Sequence, residues 1–467
     1  MKIIDHRKFQ HKAKAPRPWV RYSLIGLAAV VGLFLLSNGV MWAMYRGKVL
    51  PNYRLGTADV GGTSFTELHT RLSNDALLPQ QVTLTAGAAT IKLAPADIGM
   101  HADAIASTAA LKKSRPLLPL LSLFTHHTVA LTMRVDAAQY AAGAAKTAAA
   151  FNKPPTPNRI LFNGQAFAIA APSDGLQINT ALLQGLLKAK LQQGVSIVAV
   201  PTAAAKAPAP TDLNGELQKL QKQLELKVSF AYGGKTITPA ANDIGKWYAA
   251  DGQTMVLSDN LMGAYLDNIT AAPANRSDLL LAVRYALSKN QTLNFAVVPK
   301  GSVTHTYCTA TRGASEAALD EMIGKLAATY ADTRGWNAGG KMAFAHVAAG
   351  CEYTVWLSAA GQMTSFGTIC DDYYNCQVGG SVVVNDDRWT QATPPWNATG
   401  GSIEEYRTLI IDHETGHRLG FYDNPACPAA GGPAPVMMQQ SIDLHGCVFN
   451  RWPTPVELSA VLAKNGL

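Results

Sequence analysis

The sequence predicts a multidomain α+β chain held at a membrane by one N-terminal helix. Three observations carry that expectation. At 467 residues the chain exceeds one ordinary domain. An almost uninterrupted apolar stretch runs from Tyr22 to Tyr45. Beyond it, short helical and strand patterns alternate, and one set of them recurs at an offset of 146 residues.

The apolar stretch has only Ser23, Ser37 and Asn38 as strongly polar members, and it is long enough to cross a bilayer as a helix. Trp19, Tyr22, Trp42 and Tyr45 sit at its ends, where interfacial aromatics belong. Lys2, Arg7, Lys8, Lys12, Lys14, Arg17 and Arg21 lie before or at its start, against the single acid Asp5. This asymmetry predicts a cytoplasmic N-terminus, with everything after it outside. A cleaved signal peptide is the rival reading. The apolar run is long for one, and no small-x-small cleavage site follows, so an uncleaved anchor is expected. The same tail accounts for most of the formal net charge of +8, so nothing points to a nucleic-acid partner.

After the anchor, Ser64–Leu72 reads as a helix and Val82–Thr85 as a strand, followed by Thr90-Ile91 and then Asp97-Ile98-Gly99. The echo has a helix at Leu213–Leu224 and a strand at Leu226–Ala231, followed by Thr236-Ile237 and then Asp243-Ile244-Gly245. Two copies of an α+β unit are therefore expected. The Ala/Pro-rich run Pro201–Pro210 reads as a linker between them, and Arg276–Ser288 as a connecting helix. The expected plan is a basic tail (1–21), a membrane helix (22–45), a first module (46–200), a linker (201–212), a partial second module with its connector (213–290) and a last domain (296–467).

That last domain reads as mixed: strands at Thr304–Cys308, Met342–Val347, Tyr353–Leu357 and Gly380–Asn385, and a helix at Ser315–Tyr330. All six cysteines lie in it, and their even number predicts three disulfides. Cys370–Cys376 and Cys427–Cys447 are the local pairs; spacing alone does not fix the connectivity.

The chemistry is concentrated in His413-Glu414-Thr415-Gly416-His417-Arg418-Leu419-Gly420-Phe421-Tyr422-Asp423, an H-E-x-x-H-x-x-G-x-x-D pattern. Histidines four apart on a helix share one face and can reach one metal ion. Glu414 is placed to take a proton from water at the metal's open position. Gly420 suits a helix that stops and turns back, and the turn is expected to carry Asp423 to the metal as third ligand. Upstream, Ser402 and Glu405 form an S-x-x-E capping box, and Ile403, Tyr406, Leu409 and Ile410 follow at helical spacing. The cofactor expected is Zn2+. The bland alternative is a buried amphipathic helix with two satisfied histidines.

At these residues the chain resembles the metzincin metallopeptidases, and the run HETGHRLGFYD is similar to the snapalysin group of small secreted bacterial metalloendopeptidases. The resemblance implies a mixed sheet with an active-site helix, peptide-bond hydrolysis and a methionine turn beneath the metal. Pro435–Gln440 holds that turn, with Met438 favoured over Met437. It also implies an edge strand that lines the cleft and pairs with an extended peptide, a role that would fall to Val382–Val384. Over residues 296–467 the chain further resembles uncharacterised secreted bacterial proteins with a metzincin-like domain. The similar segments are Asp332–Trp336, Tyr406-Arg407, Pro433–Gln440 and Gly446–Pro453. That family usually has His where this chain has Asp423. Gly61–Ser64 and Ala170–Leu176 are similar to the peptidoglycan-binding-like domain found beside VanW domains, which implies a cell-wall-facing location and peptidoglycan as a partner. A stalk that only holds the last domain off the membrane remains the alternative.

The expectation is thus a surface zinc metallopeptidase acting on a peptide or protein. A non-catalytic wall-binding or adhesive protein with a structural or vestigial metal site is the alternative. HExxH does not separate a protein-cleaving enzyme from one acting on wall cross-links.

Overall fold

The computed structural model describes residues 18–467, so most of the basic tail lies outside the described residues. The chain is a mixture of helices and several small sheets, and it divides into two units: Met1–Thr156 with Ser173–Pro208, and Pro157–Pro172 with Ala209–Leu467.

The first unit begins with the helix Pro18–Met44, within which Arg21–Met44 is long and apolar enough to cross a membrane. Its core gathers Leu68 and Leu72 of the helix Phe65–Ser73, Val82 and Leu84 of the strand Val82–Ala86, and Leu183 and Leu187 of the helix Thr180–Gln192. Ser64 caps the first of these helices by accepting the Glu67 N–H. The strand Val82–Ala86 pairs antiparallel with Ala89–Leu93 and parallel with Ile197–Ala199.

The echo is structural as well as sequential. In the second unit the helix Asn214–Leu224 precedes the strand Ser229–Tyr232, which pairs antiparallel with Lys235–Ile237 and parallel with Asn294–Ala296. In both copies a helical turn then carries Asp-Ile-Gly. The Asp side chain accepts a backbone N–H three residues upstream, Ala94 for Asp97 and Ala240 for Asp243.

Two boundaries differ from the sequence reading. Thr202–Ala205, expected as linker, is a strand paired with Gly175–Ile178. Pro201 and Pro208 flank it, so neither ring removes a donor from the ladder. The expected first module is also interrupted: the hairpin Arg159–Phe162/Phe167–Ala170 contributes Ile160 and Phe167 to the second unit's core, beside Leu220, Phe230 and Trp247. The second module does not stand apart from the last domain. Helix Arg276–Lys289 buries Leu279, Val283 and Ala286 in a core that also takes Ala327, Ala328 and Ala331 from helix Glu316–Ala331.

The sheet that positions the motif has five strands in the order Ala343–His346, Thr304–Arg312, Tyr353–Ser358, Ser381–Asn385, Cys376–Val378. The first four are mutually parallel and the last is antiparallel. Val382–Val384 is therefore an interior strand, paired on both sides, and the expectation of an edge there is corrected. Three consecutive fully buried valines are what a parallel strand covered on both faces requires. The edge on that side of the sheet is Cys376–Val378, and Ala343–His346 is the other. Three disulfides tie this region: the two local pairs, Cys370–Cys376 and Cys427–Cys447, and Cys308–Cys351.

Candidate metal centre

Helix Ile403–Arg418 carries the motif. Its start is fixed by the expected capping box: Ser402 Oγ accepts the Glu405 N–H, and the Glu405 carboxylate accepts the Ser402 N–H. Tyr406, Leu409, Ile410 and Ile411 bury its apolar face in the core beneath the sheet. Its last turns are held by two distant side chains. Trp336 Nε1–H donates to the Asp412 carbonyl (2.8 Å), and Tyr330 Oη lies 2.8 Å from Thr415 Oγ1. Gly416 is needed where it stands, because a Cβ there would run into Met437 Sδ and sit 2.8 Å from the Trp336 ring.

His413 and His417 lie on one face, their ring centroids 4.8 Å apart. Each has its Nδ1 committed to a backbone carbonyl: Val436 O at 2.9 Å for His413 and Phe421 O at 2.6 Å for His417. A carbonyl only accepts, so each Nδ1 carries the proton and each Nε2 keeps its lone pair. Burial lowers both imidazoles, His413 to about 4, which favours the neutral form a metal ligand must have. Glu414 is buried beside them, and burial raises its carboxyl to about 8. His413 and Glu414 line a cavity of about 180 Å³, together with Asp371, Tyr374, Met438 and Gln440. Tyr374 and Asn375, just ahead of the edge strand, form another part of its wall.

The turn at Gly420 forms with φ +94°, as the motif requires. What it delivers differs from the expectation. The chain folds back so that the Phe421 carbonyl meets His417, while Asp423 stays exposed two residues further on. Among the described residues no group of three or more His, Cys, Asp or Glu side chains is gathered closely enough to hold a metal. The structure pairs His413 with His417, places Glu414 in the cavity that His413 lines, and leaves Asp423 exposed. The chemistry of the two histidines fits a metal: two neutral imidazoles with free Nε2 atoms, each oriented by a backbone acceptor.

The two methionines divide their roles. Met438 reaches the cavity, whereas Met437 is buried against Gly416 and joins the main core. The segment that holds them is fixed by Glu457, whose carboxylate accepts the N–H groups of Val436 (3.1 Å) and Met437 (2.9 Å). Sequence reasoning gave Glu457, Trp336, Tyr330 and Gly416 no part in supporting the site. Thr454-x-x-Glu457 is visible as a capping box, but its second task is not. His445 is exposed beside Asp443, and His346 bonds Thr309; neither joins the site.

Residues 297–455, about a third of the chain, match the family model described as a protein of unknown function, DUF3152. No curated protein and no solved structure matches the chain.

Proposed function

We propose that the chain is a membrane-anchored zinc metallopeptidase whose catalytic domain faces the outside. The observation that carries this reading is the matched pair of imidazoles, each with Nδ1 bound to a backbone carbonyl and Nε2 free, with Glu414 buried in the cavity that His413 lines. A pair of core histidines has no need of that symmetry, whereas two ligands of one ion do.

His413 and His417 would hold Zn2+ through Nε2. Asp423 is the proposed third ligand: the Phe421 carbonyl is fixed on His417, and two further residues reach about 7 Å when extended. Bound there, the metal would supply the Lewis acidity that makes a water nucleophilic at neutral pH. Burial alone keeps the Glu414 carboxyl protonated at neutral pH, and the charge of a bound metal would restore its carboxylate, which would then take the water proton as general base and hand it to the leaving amine. The cavity wall at Tyr374-Asn375, continuous with the edge strand Cys376–Val378, suits an extended peptide. The motif helix lies against a mixed sheet, the arrangement that the metzincin-like resemblance implies.

The contacts that Asn38 and Trp42 make with the folded part of the first unit support an uncleaved anchor, since cleavage would discard them. Peptidoglycan remains a proposed partner of the first unit, on the resemblance alone. One observation favours a second reading, a non-catalytic wall-binding or adhesive surface protein with a structural or vestigial metal site: Asp423 is exposed.

Metal content separates the enzyme from a vestigial site. The purified full chain should bind about one zinc, and the double variant His413→Ala/His417→Ala should bind none while staying folded. A folded wild-type chain that takes up no zinc would overturn the enzyme reading.

A further inference from the structure

In the first unit, the loop Leu117–Phe124 presents a cluster of large apolar side chains to the outside: Leu117 is 91% exposed and Phe124 81%, with Leu121 and Leu123 exposed between them. The loop is attached to the last turns of the helix Pro18–Met44. Its Leu120 N–H donates to Asn38 Oδ1 (3.0 Å), and Trp42 Nε1–H donates to the Leu117 carbonyl (3.4 Å).

Most of the loop's backbone carbonyls are bonded to protein groups despite its exposure. The Leu118 carbonyl accepts the Leu121 N–H, and the Leu121 carbonyl accepts the Phe124 N–H and the Thr125 hydroxyl. The Pro119 carbonyl accepts the Ser122 hydroxyl, and the Asn52 amide donates to the Ser122 and Leu123 carbonyls. A segment in hydrocarbon must satisfy such groups internally.

Depth follows from the neighbours. Arg115 Nη2 donates to the Tyr45 carbonyl (3.0 Å), and its guanidinium lies 4.9 Å from the centre of the Trp42 ring. Arg46, Lys48, Lys112 and Lys113 are exposed around this level. Aromatic and basic residues of this kind mark the headgroup layer. Asn38, where the loop is tied, is seven residues before Tyr45, or about 10 Å further into the bilayer along the helix.

We propose that Leu117–Phe124 is a second membrane contact, inserted beside the helix into the acyl-chain region of the leaflet that holds the helix's C-terminal end. The partner is a lipid surface. The loop fixes the depth and tilt of the first unit, which a lone helix leaves to its flanking residues. This inference rests on reading Pro18–Met44 as a membrane anchor.

The test uses the full chain in vesicles of phosphatidylcholine and phosphatidylglycerol. All six native cysteines are disulfide-bonded, so a nitroxide attaches to one introduced cysteine at a time. Leu117→Cys and Phe124→Cys probe the loop, Leu33→Cys the middle of the helix, and Leu182→Cys an exposed helix position of the same unit. The expected result is that both loop labels collide with oxygen in preference to a water-soluble nickel chelate, as Leu33→Cys does and Leu182→Cys does not. Loop labels that behave like Leu182→Cys while Leu33→Cys stays in lipid overturn the loop contact and leave the anchor standing. Labels at all three sites in water overturn the contact and the anchor together.

Discussion

Glu457 and His413 are joined through a single peptide group. The Met437 N–H donates to Glu457 Oε1 (2.9 Å), and the Val436 carbonyl of the same peptide accepts from His413 Nδ1 (2.9 Å). A carboxylate that polarises this peptide makes its carbonyl a better acceptor, and so makes His413 Nε2 a better donor to a metal.

Glu457→Gln keeps the size and one acceptor oxygen but removes the charge. It should weaken zinc binding by about 10-fold or more, the range for residues that support a ligand from behind, with an unchanged circular dichroism spectrum. Competition with a zinc-chelating dye measures it. Unchanged affinity would reduce Glu457 to a cap for the helix Pro455–Lys464.

Gly416→Ala places a methyl group against Met437 and Trp336 on the buried side of the helix Ile403–Arg418. The overpacking should cost about 1–3 kcal/mol, read as a lower denaturant midpoint. A variant as stable as the wild type would show that Met437 can move aside freely.

Asp278 is fully buried, accepting hydrogen bonds from the His346 N–H (2.7 Å) and the Tyr307 hydroxyl (3.1 Å), and burial raises its carboxyl to about 7. Between its unfolded value of 3.8 and about 7, the folded chain holds a proton that the unfolded chain has released. That contribution to stability is complete below the lower value and is lost as pH rises through the upper one, on the order of a few kcal/mol. Asp278→Asn should therefore flatten the fall in stability across this window, measured by urea denaturation at several pH values. A variant with the wild-type pH slope would contradict the assignment.

Removing the Cys308–Cys351 bridge, which closes a 43-residue separation, should cost about 4 kcal/mol by chain entropy. The double variant Cys308→Ala/Cys351→Ala checks this by its melting temperature, and an unshifted value would contradict it.

Much of the last domain was legible because its signals are local. The capping box at Ser402, the helical spacing after it, the Gly420 turn and the two short-range disulfides each depend on residues close in sequence. The parts that were not legible depend on distant partners. Tyr330 meets Thr415 across 85 residues, and Trp336 meets Asp412 across 76. Spacing alone gave no reason to pair them. The edge strand was misplaced because Ser381–Asn385 has the stronger β pattern, and Cys376–Val378 is short. Asp423 has a motif position but no neighbour that fixes it, so its role was open to the sequence in a way the histidines' roles were not.

The central claim is that Glu414 does the proton chemistry at a zinc held by the histidines. The most direct test compares the zinc-loaded full chain with Glu414→Gln on a mixed peptide library, with zinc content determined on the same samples. The account predicts cleavage by the wild type, and an equal zinc content with cleavage lost by at least about 100-fold in Glu414→Gln. Equal cleavage by both proteins, or a zinc-loaded wild type that cleaves no peptide in the library, would contradict it.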